Sequence, residues 1–135
     1  MSKILTYLDT GVLFVAWRGS FSEQALDIIN DPAREFVGSD FLKLETMPKA
    51  VYYRNKGEQE FYLSYFKATA IWVYASKPLF NEAYNEACAL GLAGFDAYHL
   101  ASALAVGATE FITAENSTKP LFRSNKIAVQ HYLSI

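Results

Sequence analysis

Cysteine is nearly missing from this chain, with Cys88 the only one in 135 residues. A single thiol makes no internal disulfide and no thiolate metal cluster, so Cys88 is expected to behave as a small core residue. Histidine is scarce too: only His99 and His131 occur, far apart in sequence. No apolar run approaches the ~20 residues that span a bilayer. The first residues lead directly into an apolar strand pattern, and the chain is expected to be soluble and cytoplasmic, with no membrane partner. Strong charge of one sign is also lacking. The formal net charge is −2, which gives no basic footprint for nucleic acid. Acids gathered in a metal site would lower that sum without emptying the rest of the surface of Lys and Arg. No repeat, linker or low-complexity segment interrupts the chain, and residues 1–135 are expected to form one domain.

What is abundant is apolar and aromatic. These classes make up 52% and 16% of the residues, a composition that folds around a core. Lys3 to Leu8 is a short apolar run ending at Asp9, the pattern of a strand buried on both faces. A short helix follows from Val12, and Ser20-Phe21-Ser22-Glu23 has the form of a capping box opening a second helix through Ile29. Asp31-Pro32 ends that helix, and residues 34–38 read as the next strand. Ser39-Asp40 supplies an N-cap for a helix over 41–53, with Glu45 about one turn inside. Aromatic and aliphatic residues then recur at helical spacing from Glu58 to Ala75 (Phe61, Tyr65, Thr69, Trp72). Lys77-Pro78 stops that helix, and a partner over 79–90 completes a helical-hairpin arm. Gly94 breaks the helical run, and Asp96 sits in the first turn of the next helix. Residues 110–113 are β-rich and end beside Glu115, and 127–133 form a last strand. Alternating strand and helix signals predict an α/β fold with a mainly parallel sheet covered on both faces.

Four acids stand out by placement. Asp9 and Glu115 follow strands, Asp96 opens a helix, and Glu45 lies early in the helix after the second strand. In an open parallel sheet all four places lie at the edge outside the carboxyl ends of the strands. Four carboxylates at one edge repel each other unless a cation sits between them. Oxygen-only ligands favour Mg²⁺ or Mn²⁺, and the scarcity of Cys and His argues against zinc. Such a site can polarise a phosphate oxygen and acidify a bound water. Thr10 and Thr113 carry hydroxyls beside the acids that could orient them.

Tyr7-Leu8-Asp9-Thr10-Gly11-Val12-Leu13, Glu45 behind Ser39, Asp96-Ala97-Tyr98-His99-Leu100-Ala101-Ser102-Ala103 and Phe111-Ile112-Thr113-Ala114-Glu115 together resemble the PIN domain family, in its VapC-like toxin branch. The resemblance runs in order through nearly the whole chain. It implies a PIN-like three-layer α/β/α fold and an Mg²⁺- or Mn²⁺-dependent ribonuclease silenced by an antitoxin protein. It also implies that Asp9, Glu45 and Asp96 are the three most regular metal-site acids. Two positions depart from the pattern. The fourth acid is usually Asp and here is Glu115, and Gly11 stands where Ser is usual. The alternative is a PIN-fold binding module with little or no catalytic power.

Other readings fit less well. Asp9-Thr10-Gly11 is also the triplet of aspartic proteases, but those all-β proteins pair two such loops. A phosphatase with an aspartyl nucleophile would want a second acid where Gly11 stands. His99, one turn after Asp96, is expected to cap or pack. Lys43, Lys49, Arg54 and Lys56 lie along or after the Glu45 helix and could grip an RNA backbone, as more weakly could Arg34, Lys119 and Arg123. The aromatics between Glu58 and Ala75 surround more of the helix than one core stripe needs, which predicts a homodimer with an antitoxin segment nearby.

Overall fold

The computed structural model describes residues 2–135. Five strands form one all-parallel sheet in the order β3-β2-β1-β4-β5: β1 (Ile4–Leu8), β2 (Arg34–Ser39), β3 (Ile71–Val73), β4 (Glu110–Thr113) and β5 (Ala128–His131). Six helices accompany it: α1 (Thr10–Arg18), α2 (Ser22–Ile29), α3 (Asp40–Tyr52), α4 (Lys56–Ala68), α5 (Lys77–Leu90) and α6 (Gly94–Ala105). Register sets the layers. Thr6 is paired with Phe36 and with Glu110, so these share one sheet face while Tyr7 and Phe111 share the other. On the first face Phe36 meets Tyr65 of α4; on the second Tyr7 meets His99 of α6. The resulting arrangement is the three-layer α/β/α fold expected from the motifs. Tyr7, Leu8, Phe111 and Ile112, on the two central strands, have no exposed surface. Strands buried on both faces carry such unbroken apolar runs.

Local signals explain most element ends. Ser39 Oγ accepts the Leu42 amide at 3.1 Å and so caps α3. Ser76 does the same for α5, whose first turn holds Pro78 without losing a needed donor. Gly91 ends α5 with φ of 72°, where a side chain would be strained. Pro78 therefore begins a helix instead of stopping one.

Five expectations are corrected. The helix over 58–75 stops at Ala68: Thr69 turns extended, and Ile71-Trp72-Val73 adds an edge strand beside β2. The two helices foreseen between Glu58 and Leu90 are both present as α4 and α5, but β3 separates them, so they do not form a hairpin arm. Gly38 makes room for that strand, since a Cβ there would stand 2.4 Å from the Trp72 ring. The capping box is not made either: α2 is preceded by Phe21, with no side-chain cap. Cys88 is exposed rather than in the core. Finally, Tyr62, Tyr65 and Phe66 are buried within the chain, so the aromatics of α4 are core and do not ring the helix. Exposed apolar surface lies elsewhere, on Leu44, Val51 and Tyr52 of α3 and on Phe80 and Tyr84 of α5. No single helix among the described residues is long and apolar enough to cross a membrane.

Candidate active site

The strand order reverses direction between β1 and β4: successive strands step one way from β1 to β3, then β4 lies on the other side of β1. The carboxyl ends of β1 and β4 thus flank the switch-point crevice where open α/β sheets take ligands. Asp9 directly follows β1, and Thr113 and Glu115 stand at and just past the end of β4. Helices α3 and α6 start from the same edge, with Asp96 in the first turn of α6 and Glu45 in the second turn of α3. A cavity of about 350 Å³ is lined there by Asp9, Thr10, Gly11, Phe14, Glu45, Asp96, Ala114 and Glu115. All four acids singled out in the sequence come together around one opening.

Each acid is held differently. Asp9 is the N-cap of α1: its Oδ1 accepts the Thr10 amide at 2.8 Å and its Oδ2 accepts from Thr113 Oγ1 at 3.0 Å. Thr113 Oγ1 in turn accepts the Glu115 amide at 3.0 Å, so one hydroxyl ties two acid positions together. Glu45 Oε1 accepts from Thr10 Oγ1 at 2.8 Å and is hydrogen-bonded to His99 Nε2. Burial alone would raise the Glu45 pKa, but hydrogen bonds from His99 and Thr10 outweigh it and hold it below the ordinary value. Asp96 goes the other way. Burial, then the negative charges of Asp9, Glu115 and Glu45, raise its pKa. No hydrogen bond to its carboxylate is made among the described residues.

This donor set suits a hard divalent cation. It is all oxygen, and the repulsion that raises Asp96 is what a cation would relieve. Among the described residues, however, no three Asp, Glu, His or Cys side chains already stand close enough to hold an ion. Glu45 in particular has one oxygen committed to His99 and Thr10.

Of the basic residues proposed for RNA, only Lys49 lines the neighbouring cavity, about 510 Å³, which shares Phe14 and Glu45 with the acid cavity. Arg18 and Tyr53 line it too, residues the sequence did not bring forward. Lys43 lines a separate cavity with Leu63, Phe66 and Trp72, and Arg54 lines neither. Arg34 is at the opposite edge of the sheet, bound to Asp31 and Glu110. Arg123 donates to the Leu90 carbonyl at 2.8 Å. His99 packs as expected, but its burial with both ring nitrogens engaged was not foreseen. Tyr7 was the available signal, because a phenol in a strand buried on both faces must find a partner.

Gly11 has its own reason to lack a side chain. A Cβ there would lie 3.2 Å from the Ala114 Cβ, tighter than ordinary contact. Small residues at 11 and 114 let the first turn of α1 approach the end of β4.

No protein-family profile and no curated protein matches the chain. Solved structures do. VapBC2 from Rickettsia felis bound to a DNA fragment from their promoter aligns with a TM-score of 0.70 at 12% identity, over 95% of this chain and 98% of that one. DNA-bound VapBC from Salmonella typhimurium gives 0.69 at 14%, over 98% and 99%. VapBC-1 from nontypeable Haemophilus influenzae gives 0.69 at 16%, over 96% and 99%. At these identities the likeness is one of fold, and the fold is the PIN-like α/β/α architecture of the VapC kind.

Proposed function

We propose that this chain is a divalent-cation-dependent nuclease that hydrolyses RNA phosphodiester bonds, acting in the cytoplasm as the toxin of a toxin–antitoxin pair. The observation that carries the reading is the convergence of Asp9, Glu45, Asp96 and Glu115 on one switch-point cavity. Asp9, Glu45 and Asp96 would hold Mg²⁺ or Mn²⁺, with Glu115 contributing directly or through water. A bound cation would supply neutralisation of phosphate charge and acidity to a coordinated water. The chain's own residues set the stage. Thr113 and the Thr10 amide fix both oxygens of Asp9. Thr10 and His99 fix one oxygen of Glu45 and leave the other without a partner among the described residues. Arg18 and Lys49 give the adjoining cavity positive charge for an RNA backbone, and exposed Tyr53 and Phe14 offer faces for bases.

An antitoxin protein and a second copy of the chain are the expected macromolecular partners. Support comes from the exposed apolar residues of α3 and α5 and from the VapBC proteins that share the fold. A second reading, a binding module with weak or no catalysis, is favoured by one observation: among the described residues no three donors are gathered for an ion.

The test counts Mn²⁺ bound by the purified chain and follows cleavage of a single-stranded RNA with and without the ion. Binding together with ion-dependent cleavage supports the nuclease. RNA binding without cleavage, despite bound ion, supports the module.

A further inference from the structure

Glu45 is the end of a buried hydrogen-bonded chain that begins at the start of α3. The Leu42 amide donates to Ser39 Oγ at 3.1 Å. Ser39 Oγ lies 2.8 Å from Tyr7 Oη, and Tyr7 Oη lies 2.6 Å from His99 Nδ1. His99 Nε2 then reaches Glu45 Oε1. Ser39 and Tyr7 have no exposed surface and His99 has 1%, so water does not substitute for any of these bonds.

Counting hydrogens gives the chain one direction. An ionised carboxylate only accepts, so His99 Nε2 carries a hydrogen and donates it to Glu45. Thr10 Oγ1, 3.3 Å from the same nitrogen, directs its single hydrogen to Glu45 at 2.8 Å and so can only accept from Nε2. In a neutral imidazole Nδ1 is then bare and accepts, which makes Tyr7 its donor. Tyr7 has a single hydroxyl hydrogen, and the bare Nδ1 stands 2.6 Å away to take it. Tyr7 accepts from Ser39, and Ser39 accepts from the Leu42 amide. Every polar atom along the path is satisfied in this arrangement. With hydrogens on both imidazole nitrogens, Tyr7 would have to turn its own hydrogen to Ser39 Oγ, and the Ser39 hydroxyl hydrogen would have no acceptor among the described residues.

We propose that His99 is a positioning residue, locked by Tyr7 as its Nε2–H tautomer so that it grips Glu45 Oε1 and leaves Oε2 for a cation in the acid cavity. The proposal rests on the reading of Glu45 as a cation ligand, and it adds that the ligand's orientation is set from the core of the sheet. An imidazole that orients a carboxylate in this way acts from behind the ligand, where such partners typically govern about 10–100-fold in metal affinity.

Two measurements test it. Long-range ¹⁵N–¹H correlation spectra of the metal-free protein at neutral pH report the tautomer of His99, and calorimetry with Mn²⁺ reports affinity. The parent should show Nε2–H. Tyr7→Phe, which stays apolar and nearly isosteric, should shift His99 toward a mixture of tautomers and weaken Mn²⁺ binding several-fold. His99→Leu should weaken binding by about tenfold or more, and His99→Gln, whose amide can still donate to Glu45, should recover part of the loss. If His99→Leu does not fold, the Tyr7→Phe pair of readouts decides. A parent with the Nδ1–H tautomer or a doubly protonated ring overturns the proposal, as does a folded His99→Leu or Tyr7→Phe that binds Mn²⁺ as tightly as the parent. A parent with the Nε2–H tautomer that takes up no Mn²⁺ overturns the cation reading itself, and with it the claim that Glu45 is positioned for an ion. Cation binding without RNA cleavage would count against the nuclease and leave the positioning role standing.

Discussion

Thr113 Oγ1 donates to Asp9 Oδ2 at 3.0 Å, joining the ends of the two central strands through a side chain with no exposed surface. The bond holds the first acid of the site at a fixed angle, and the same oxygen accepts the Glu115 amide. Thr113→Val keeps the shape and removes both roles. It should destabilise the fold by about 1–3 kcal/mol, because the Glu115 amide loses its acceptor and a carboxylate oxygen loses its donor. It should also lower RNA cleavage by about tenfold or more. Urea denaturation and cleavage rates on the same preparation check the two parts separately.

Asp96 should make the fold less stable when no cation is present. Its folded-state pKa is raised by burial and by Asp9, Glu115 and Glu45. The charged form is therefore disfavoured by folding, a penalty present above the folded pKa and relieved as pH falls through it. In chelator at neutral pH, Asp96→Asn is expected to melt above the parent. The gap should close toward about pH 4, where the parent's carboxyl is protonated as well. Glu45 has the opposite sign: its lowered pKa stabilises the fold above the unfolded value, and that contribution fades as pH falls through the folded one. Thermal unfolding from neutral pH down to about pH 3 measures both, and an Asp96→Asn that melts below the parent at neutral pH contradicts the repulsion.

At the other edge of the sheet, Arg34 Nε donates to Glu110 Oε1 at 2.6 Å, and Thr6 Oγ1 donates to the same oxygen at 2.6 Å. Arg34→Met leaves a buried carboxylate with one hydroxyl for company. The expected loss is about 3 kcal/mol in urea denaturation, with cleavage per folded molecule unchanged. A loss below about 1 kcal/mol would show that water reaches Glu110 there.

Gly11→Ser restores the residue usual in the resembling family but brings a Cβ to 3.2 Å from Ala114 Cβ. A cost of about 1 kcal/mol is expected. Ala114→Gly in the same chain should remove most of it, a coupling that a double-mutant cycle reads directly.

The gathering of the four acids was largely legible because they sit at or near element junctions. Asp9 after an apolar strand, Ser39 as a cap before Glu45, and Asp96 in a first turn are local patterns, and a parallel sheet brings such junctions to one edge. What failed was non-local. β3 was hidden because Thr69 and Trp72 continue the helical spacing of Phe61 and Tyr65. Only pairing of Ile71 with Val37 across the sheet makes the segment a strand. Lys43 and Lys49 look equivalent along α3, yet they line different cavities. His99 carried no signal within its own helix; its importance comes from Tyr7, 92 residues away.

The central claim is that the acids act together through a divalent cation on RNA. The most direct measurement is single-turnover cleavage of a single-stranded RNA, with and without Mn²⁺, by the parent and by Asp9→Asn, Asp96→Asn and Glu115→Gln. The account expects cleavage only with the ion, about a thousandfold loss for each Asp→Asn change, and a milder loss for Glu115→Gln. Cleavage that persists without the ion, or an Asp96→Asn variant as fast as the parent, contradicts it.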